Sequence, residues 1–246
     1  MSILTIPTDT FIIAGQSNNS GRGTNNQTWT PGLGFPALNF ANDYTIKRLA
    51  DPYDDATGQI DTVSSDSGLA AGSVWPLVAT YFLANVRRRL LLVPCAKGGS
   101  AITAWQPGAN HQDRTTLYGS MVYRALRAGG TLKAVLWWQG ETDAINGMSQ
   151  ADYNGYLDTI ANAVQADLGV PLMACKLQNS SGIADDPNEA AINAAIGQAW
   201  ADNANVLEGP DLSDLGSDDA YHLQTDENLA TAAGRWWTAI AAAFYS

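Results

Sequence analysis

Two rhythms of apolar residues alternate along the chain. Phe11–Ala14, the stretch Arg88 to Ala96, Lys133 to Trp138 and Val170 to Leu177 are short apolar runs bounded by turn residues. Runs of that length predict strands buried on both faces. Between them, apolar residues recur at helical spacing. Thr116 to Ala128 sets Leu117, Met121, Ala125 and Leu126 on one side, and Asp152 to Leu168 carries one stripe through Tyr153, Leu157, Ile160 and Val164. Pro76, preceded by Ser73 and Trp75, opens a helix running to about Asn85. Asn188 to Asn203 reads as an Ala-rich helix, and Asn205 to Leu207 begins a short fifth strand. Thr225 to Phe244 is the closing helix, with Asp226 and Glu227 in the first turn, where the helix dipole favours acids.

Strands alternating with helices predict an α/β fold with a parallel sheet and right-handed crossovers. The expectation is a three-layer, flavodoxin-like domain spanning 1–246. It has five parallel strands in the order 2-1-3-4-5 and helices on both faces. One segment breaks the rhythm. Ser20 to Gly72 is rich in Gly, Asn, Asp, Thr and Pro and holds neither period for long. A loop beyond roughly 12–15 residues is usually functional or mobile. It is read as an irregular elaboration over the site. Trp29 and Tyr53 are its candidate substrate contacts, or else the aromatics that pin it to the body.

Composition narrows the function classes. The 246 residues are 46% hydrophobic and 15% charged, an ordinary globular balance. A formal net charge of −11 argues against nucleic acid and anionic membranes as partners, since phosphates call for a basic face. No apolar run approaches the roughly 18 residues of a membrane span. Met1 to Thr10 lacks the basic and apolar regions of a signal peptide. The chain is expected to be soluble and cytoplasmic by default, with a removed leader or another export route left open. Cys95 and Cys175 fall in strands that the expected order sets three steps apart, about 14 Å, too far for a disulfide. No Cys/His cluster has zinc spacing, and the acidic D-P-Y-D-D-A-T-G-Q-I-D run lacks calcium-loop order, so no metal or cofactor is expected.

Four polar clusters lie at or beyond predicted C-terminal strand ends, where ligands bind in open α/β sheets. They are Gln16-Ser17-Asn18, Gly98-Gly99-Ser100, Gln139-Gly140-Glu141 and Asp219-Ala220-Tyr221-His222. A serine becomes nucleophilic when a neighbouring base takes its proton, a task that suits a neutral imidazole. Of the two histidines, His222 has Asp219 three residues earlier to orient its ring, whereas His111 sits in a polar loop and reads as a rim residue. Backbone N–H groups at Gly98, Gly99 and Ser17 and the side-chain amide of Gln139 are candidate oxyanion donors. Gly98-Gly99 also suits a plain turn, and Gln139 also suits a buried amide tying loops together. Glu141 is open between supporting the triad, binding substrate and capping a loop. Trp105, just past the glycines, is the candidate for stacking on a sugar. Of Trp137 and Trp138, at least one belongs to the core.

G-Q-S-N after the first strand, G-G-S after the second, W-W-Q-G-E-T-D after the third and D-x-x-H before the last helix resemble one family in matching order. It is the sialate O-acetylesterase/acetyl xylan esterase group, carbohydrate esterase family six, within the SGNH hydrolase superfamily. The resemblance implies Ser17 as nucleophile, His222 as base and Asp219 as its orienting acid. Ser17 N–H, a Gly98 or Gly99 N–H and Gln139 would then form the oxyanion hole. Gln16 and Gln139 stand where many superfamily members carry aspartate and asparagine, as the carbohydrate-esterase branch does. The implied activity is cofactor-free hydrolysis of short acyl esters, chiefly acetyl, on a carbohydrate. Alternatives are a general carboxylesterase, arylesterase or thioesterase, or a non-catalytic carbohydrate-binding module on the same fold.

Overall fold

Phe11, Ile12, Ile13 and Ala14 are all fully excluded from solvent, as a strand at the centre of a covered sheet requires. They belong to β1 (Thr8–Gly15), which pairs in parallel with β4 (Arg89–Pro94) on one side and β5 (Thr131–Trp138) on the other. The computed structural model describes residues 6–55, 57–64, 66, 71–180 and 187–246. Beyond β5 lie β6 (Leu172–Lys176) and β7 (Val206–Asp211), both parallel. These five strands stand in the expected order, β4-β1-β5-β6-β7.

The sheet nevertheless has seven strands, not five. β2 (Ala37–Phe40) adds to β4 in parallel, and β3 (Ile46–Arg48) adds to β2 antiparallel. Both lie inside Ser20–Gly72, so that segment is not irregular throughout. β2 is four residues interrupted by Asn39, whose amide donates to the Tyr53 carbonyl, and β3 exposes all three of its side chains. Neither leaves a hydrophobic period to read. Two carboxylates, half-buried Asp51 and buried Asp61, fasten described parts of the segment. Asp51 accepts from the Gln27 and Ser73 amides, and Asp61 accepts from Arg114, Tyr44 and Ser120.

Helices cover the sheet. α2 (Trp75–Asn85) packs on α7 (Asp226–Phe244), with the Trp75 and Trp236 rings 5.5 Å apart. On the opposite side α5 (Gln150–Leu168) packs against α3 (Leu117–Ala128) and α6 (Pro187–Asp202). Thr116, Ser149 and Thr225 cap α3, α5 and α7 by accepting from amides three residues on. Trp137 and Trp138 point to opposite faces, towards Trp105 and Trp236 respectively, and both are fully buried. Cys95 and Cys175 are buried free thiols. Among the described residues no helix is long and apolar enough to cross a membrane.

Candidate active site

Gly15 ends β1 at φ +118, and a Cβ there would lie 2.2 Å from the Trp138 carbonyl oxygen. Only glycine lets β1 close on the end of β5 and turn sharply. The chain enters a single helical turn, α1 (Ser17–Ser20), whose four residues are all buried. The Asn19 amide donates to the carbonyls of Ala14 (2.6 Å) and Leu136 (3.0 Å), while the Asn19 carbonyl accepts from Tyr53 Oη (2.7 Å) and Trp75 Nε1 (2.9 Å). Tyr53 is therefore a brace for α1 and not a cleft residue. Bonds on both sides hold the turn that carries Ser17 against the sheet.

His222, in the loop between β7 and α7, places Nε2 2.9 Å from Ser17 Oγ. Its Nδ1 lies 2.9 Å from Asp219 Oδ2. Asp219 Oδ1 accepts the backbone N–H groups of Tyr221 and His222, each at 2.7 Å. Burial pushes the Asp219 carboxyl up, but these donors and the His222 ring outweigh it and hold the group below the usual carboxylate range. His111 instead pairs with Asp167 at 2.8 Å, beside the Tyr118 ring.

The Ser17–His222 pair opens onto a cleft of about 430 Å³ whose walls include Gly98, Gly99, Glu141 and Thr142. A larger groove of about 630 Å³, between β7 and α7, is lined by residues such as Leu207, Arg235 and Ala239 and holds no nucleophile–base pair. Among the described residues no group of three or more His, Cys, Asp or Glu side chains could hold a metal ion.

Several candidates from the sequence occupy other roles. Gly98 N–H donates to Asp66 Oδ2 at 2.9 Å, a carboxylate that also takes Ser20 Oγ and Arg22, so this donor is already engaged. Gly99 N–H has no partner among the described residues, and its φ of +70 turns the open side of the residue to free space. Gln139 is fully buried; its amide nitrogen donates to the Ser100 carbonyl, Asp143 and Gln16, and its oxygen accepts from Tyr153. It ties loops together beneath the site, and both its hydrogens are taken. Trp105 corrects the expectation of a sugar platform. It is fully buried, edge-on to Trp137 at 5.2 Å, and donates to Ser100 Oγ. Trp29 lines a separate groove with Arg48 stacked on its ring.

Gln16 reaches the cleft wall, yet its Oε1 accepts from Gln139 and from the Gly140 and Thr142 amides at the start of α4 (Glu141–Ile145). Glu141 is 1% exposed, and burial raises its carboxyl above the usual range despite bonds from Asn18 and Gln178. From the sequence, Asn18 stands in the first polar cluster without a role of its own, and Gln178 is not singled out. Gln178 follows β6 at the same sheet edge, so the strand-end rule applied to the fourth predicted strand points to it. Arg22 and Asp66, which also line the cleft, lie in the segment without a readable period and left no such signal.

Comparison with known proteins adds a second line. A family model described as "Carbohydrate esterase, sialic acid-specific acetylesterase" matches residues 7–236. A probable carbohydrate esterase of Arabidopsis thaliana is 31% identical over 241 residues, covering 91% of this chain and 86% of its own length. The X-ray structure of that Arabidopsis protein superimposes with a TM-score of 0.74 at 26% identity, covering 97% of this chain and 99% of its own. NanS shares the fold at a TM-score of 0.70 and 18% identity, over 96% of this chain and 98% of its own. So does a carbohydrate acetylesterase from Xanthomonas citri, at 0.65 and 17%, over 96% of this chain and 56% of its own.

Proposed function

The chain belongs to the sialic acid-specific acetylesterase family of carbohydrate esterases, carboxylic ester hydrolases, and from that premise we propose that it removes acetyl groups from a carbohydrate through an acyl-enzyme on Ser17. The observation that carries this reading is the unbroken line from Ser17 Oγ through His222 to Asp219, with two contacts of 2.9 Å.

Asp219 accepts a proton-bearing Nδ1, which leaves Nε2 as the acceptor for the Ser17 hydroxyl. Ser17 Oγ attacks the ester carbonyl as Nε2 takes its proton, and the imidazolium so formed is stabilised by the Asp219 carboxylate. His222 returns the proton to the departing sugar oxygen. Water, deprotonated by the same nitrogen, then releases acetate and restores Ser17. The developing oxyanion is assigned to the backbone N–H groups of Ser17 and Gly99. Both lack a partner among the described residues and both belong to the cleft wall. Gly98 and Gln139 support that wall without donating to the oxyanion.

Hydrolysis of p-nitrophenyl acetate, butyrate and octanoate by wild type, Ser17→Ala and His222→Ala tests the reading, followed by acetylated sugars. The expected result is acetate turnover that both substitutions reduce by about 10³-fold or more. Turnover that survives Ser17→Ala refutes it.

A further inference from the structure

His222 lies on a loop, yet proton transfer from Ser17 needs its ring held to within about half an ångström. The two peptide groups flanking His222 are both held by one side chain. Asn18 Nδ2 donates to the Tyr221 carbonyl at 3.0 Å, and Asn18 Oδ1 accepts the Leu223 N–H at 3.1 Å. Asn18 is the residue after Ser17 in the same helical turn. Nucleophile and base are thus tied together by a second route, through the amide next door.

The orientation of that amide is dictated. Its second N–H hydrogen goes to Glu141 Oε1 at 2.5 Å, and the Leu223 amide can only donate, so the nitrogen and oxygen of Asn18 cannot exchange places. Gln178 adds a donor to the same Tyr221 carbonyl at 2.7 Å, and its own oxygen accepts from Trp138 Nε1. Asn18, Glu141 and Gln178 are each at least nine-tenths buried. Glu141 Oε1 is held by both amides while its Oε2 is buried without a partner among the described residues, and in such surroundings losing one member of the network strands the others.

We propose that Asn18 is a positioning residue that sets the Ser17–His222 geometry, and that Glu141 acts on the reaction through Asn18 and not on the substrate. This rests on the reading of Ser17 and His222 as nucleophile and base. Asn18→Ala should lower kcat about 10- to 100-fold with KM within twofold. The rate at which a fluorophosphonate labels Ser17 should fall in parallel, a readout of nucleophile activation that lost stability alone does not move. Glu141→Ala should lower kcat similarly, Glu141→Gln should lose less because it keeps an oxygen for Asn18, and Asn18→Ala/Glu141→Ala should be no worse than either single variant. If Asn18→Ala does not fold, the isosteric Asn18→Asp carries the same expectation, since it lacks both donors. A folded Asn18 variant with wild-type kcat, an effect confined to KM, or additive losses in the double variant would overturn the proposal. Ser17→Ala is run alongside. If it retains activity, the underlying reading fails; if it is inactive while the Asn18 variants are normal, only the positioning role fails.

Discussion

Replacing Asp219 with asparagine changes almost no volume and tests the relay directly. Asparagine offers one oxygen and one NH2 where aspartate offers two acceptors. The Oδ1 position serves two backbone donors at 2.7 Å, so the amide oxygen must stay there. Turning the amide round would leave both unpaired, at about 1–3 kcal/mol each. The NH2 therefore faces His222 Nδ1, and Gln224 Nε2, which donates to Oδ2 at 2.8 Å in the wild type, has to find another acceptor. That nitrogen must become an acceptor, and the ring proton moves to Nε2, facing Ser17 Oγ. The ring can then no longer take the serine proton. Loss of the correct tautomer in such a relay is worth up to about 10⁴ in kcat. The Asp219 side chain is 39% exposed, so water competes with its field and the loss here should be nearer 10²–10³, about 3–4 kcal/mol of barrier. The assay is kcat on p-nitrophenyl acetate, with the unfolding midpoint of each protein measured beside it. A folded Asp219→Asn protein within tenfold of wild-type kcat refutes the relay.

Three further outcomes follow from buried groups around the site. Burial raises the Asp54 carboxyl to about 8 from 3.8, with Arg124 opposing, so between those values the folded protein holds a proton that the unfolded chain has released. Stability should therefore decline as pH rises from about 4 to 8, at up to about 1.4 kcal/mol per pH unit. Urea unfolding at pH 5.5 and 8.5 should show that decline in wild type and a shallower one in Asp54→Asn, where other buried carboxyls such as Glu141 still contribute; equal slopes in the two proteins would exclude Asp54 as a source. Trp105→Ala should cost about 3–5 kcal/mol of stability with KM for acetylated sugars nearly unchanged, and a raised KM at unchanged stability would restore Trp105 as a sugar contact. Gly15→Ala should yield no folded protein, or one destabilised by more than about 3 kcal/mol in thermal unfolding, because its Cβ meets backbone that cannot yield; a wild-type melting curve would contradict the close approach of β1 to β5.

The parts of the fold that could be read in the sequence are those where local pattern and burial agree. Phe11–Ala14 is apolar because both faces of β1 are covered, and α3 and α5 show a period because only one side of each is. β2 and β3 escaped for the converse reason. Ala37–Phe40 buries Ala37 and Phe40 in the core, but the run is only four residues long and is interrupted by Asn39, and Ile46–Arg48 exposes all three of its side chains. Runs so short, or so exposed, leave no period in side-chain hydropathy to read.

The site divides along a similar line. Ser17, Asp219 and His222, which the structure brings together, stand out in the sequence as candidates because few residue types suit the proposed chemistry, and only two histidines were available for the base. Polar and aromatic side chains near a strand end are ambiguous in sequence, since the same groups serve a wet cleft or a dry network. Gln139 and Trp105 illustrate the second case. Gln139 satisfies Ser100, Asp143 and Tyr153, and Trp105 satisfies Ser100 while filling space against Trp137. What decides between the two is whether enough buried partners lie within reach, a property of tertiary neighbours that a single stretch of sequence does not display. Asn18 and Gln178 follow the same rule with a different consequence. Their partners are the peptide groups on either side of His222, so an amide network with no reactive atom of its own lies where it can govern the distance on which the proposed proton transfer depends.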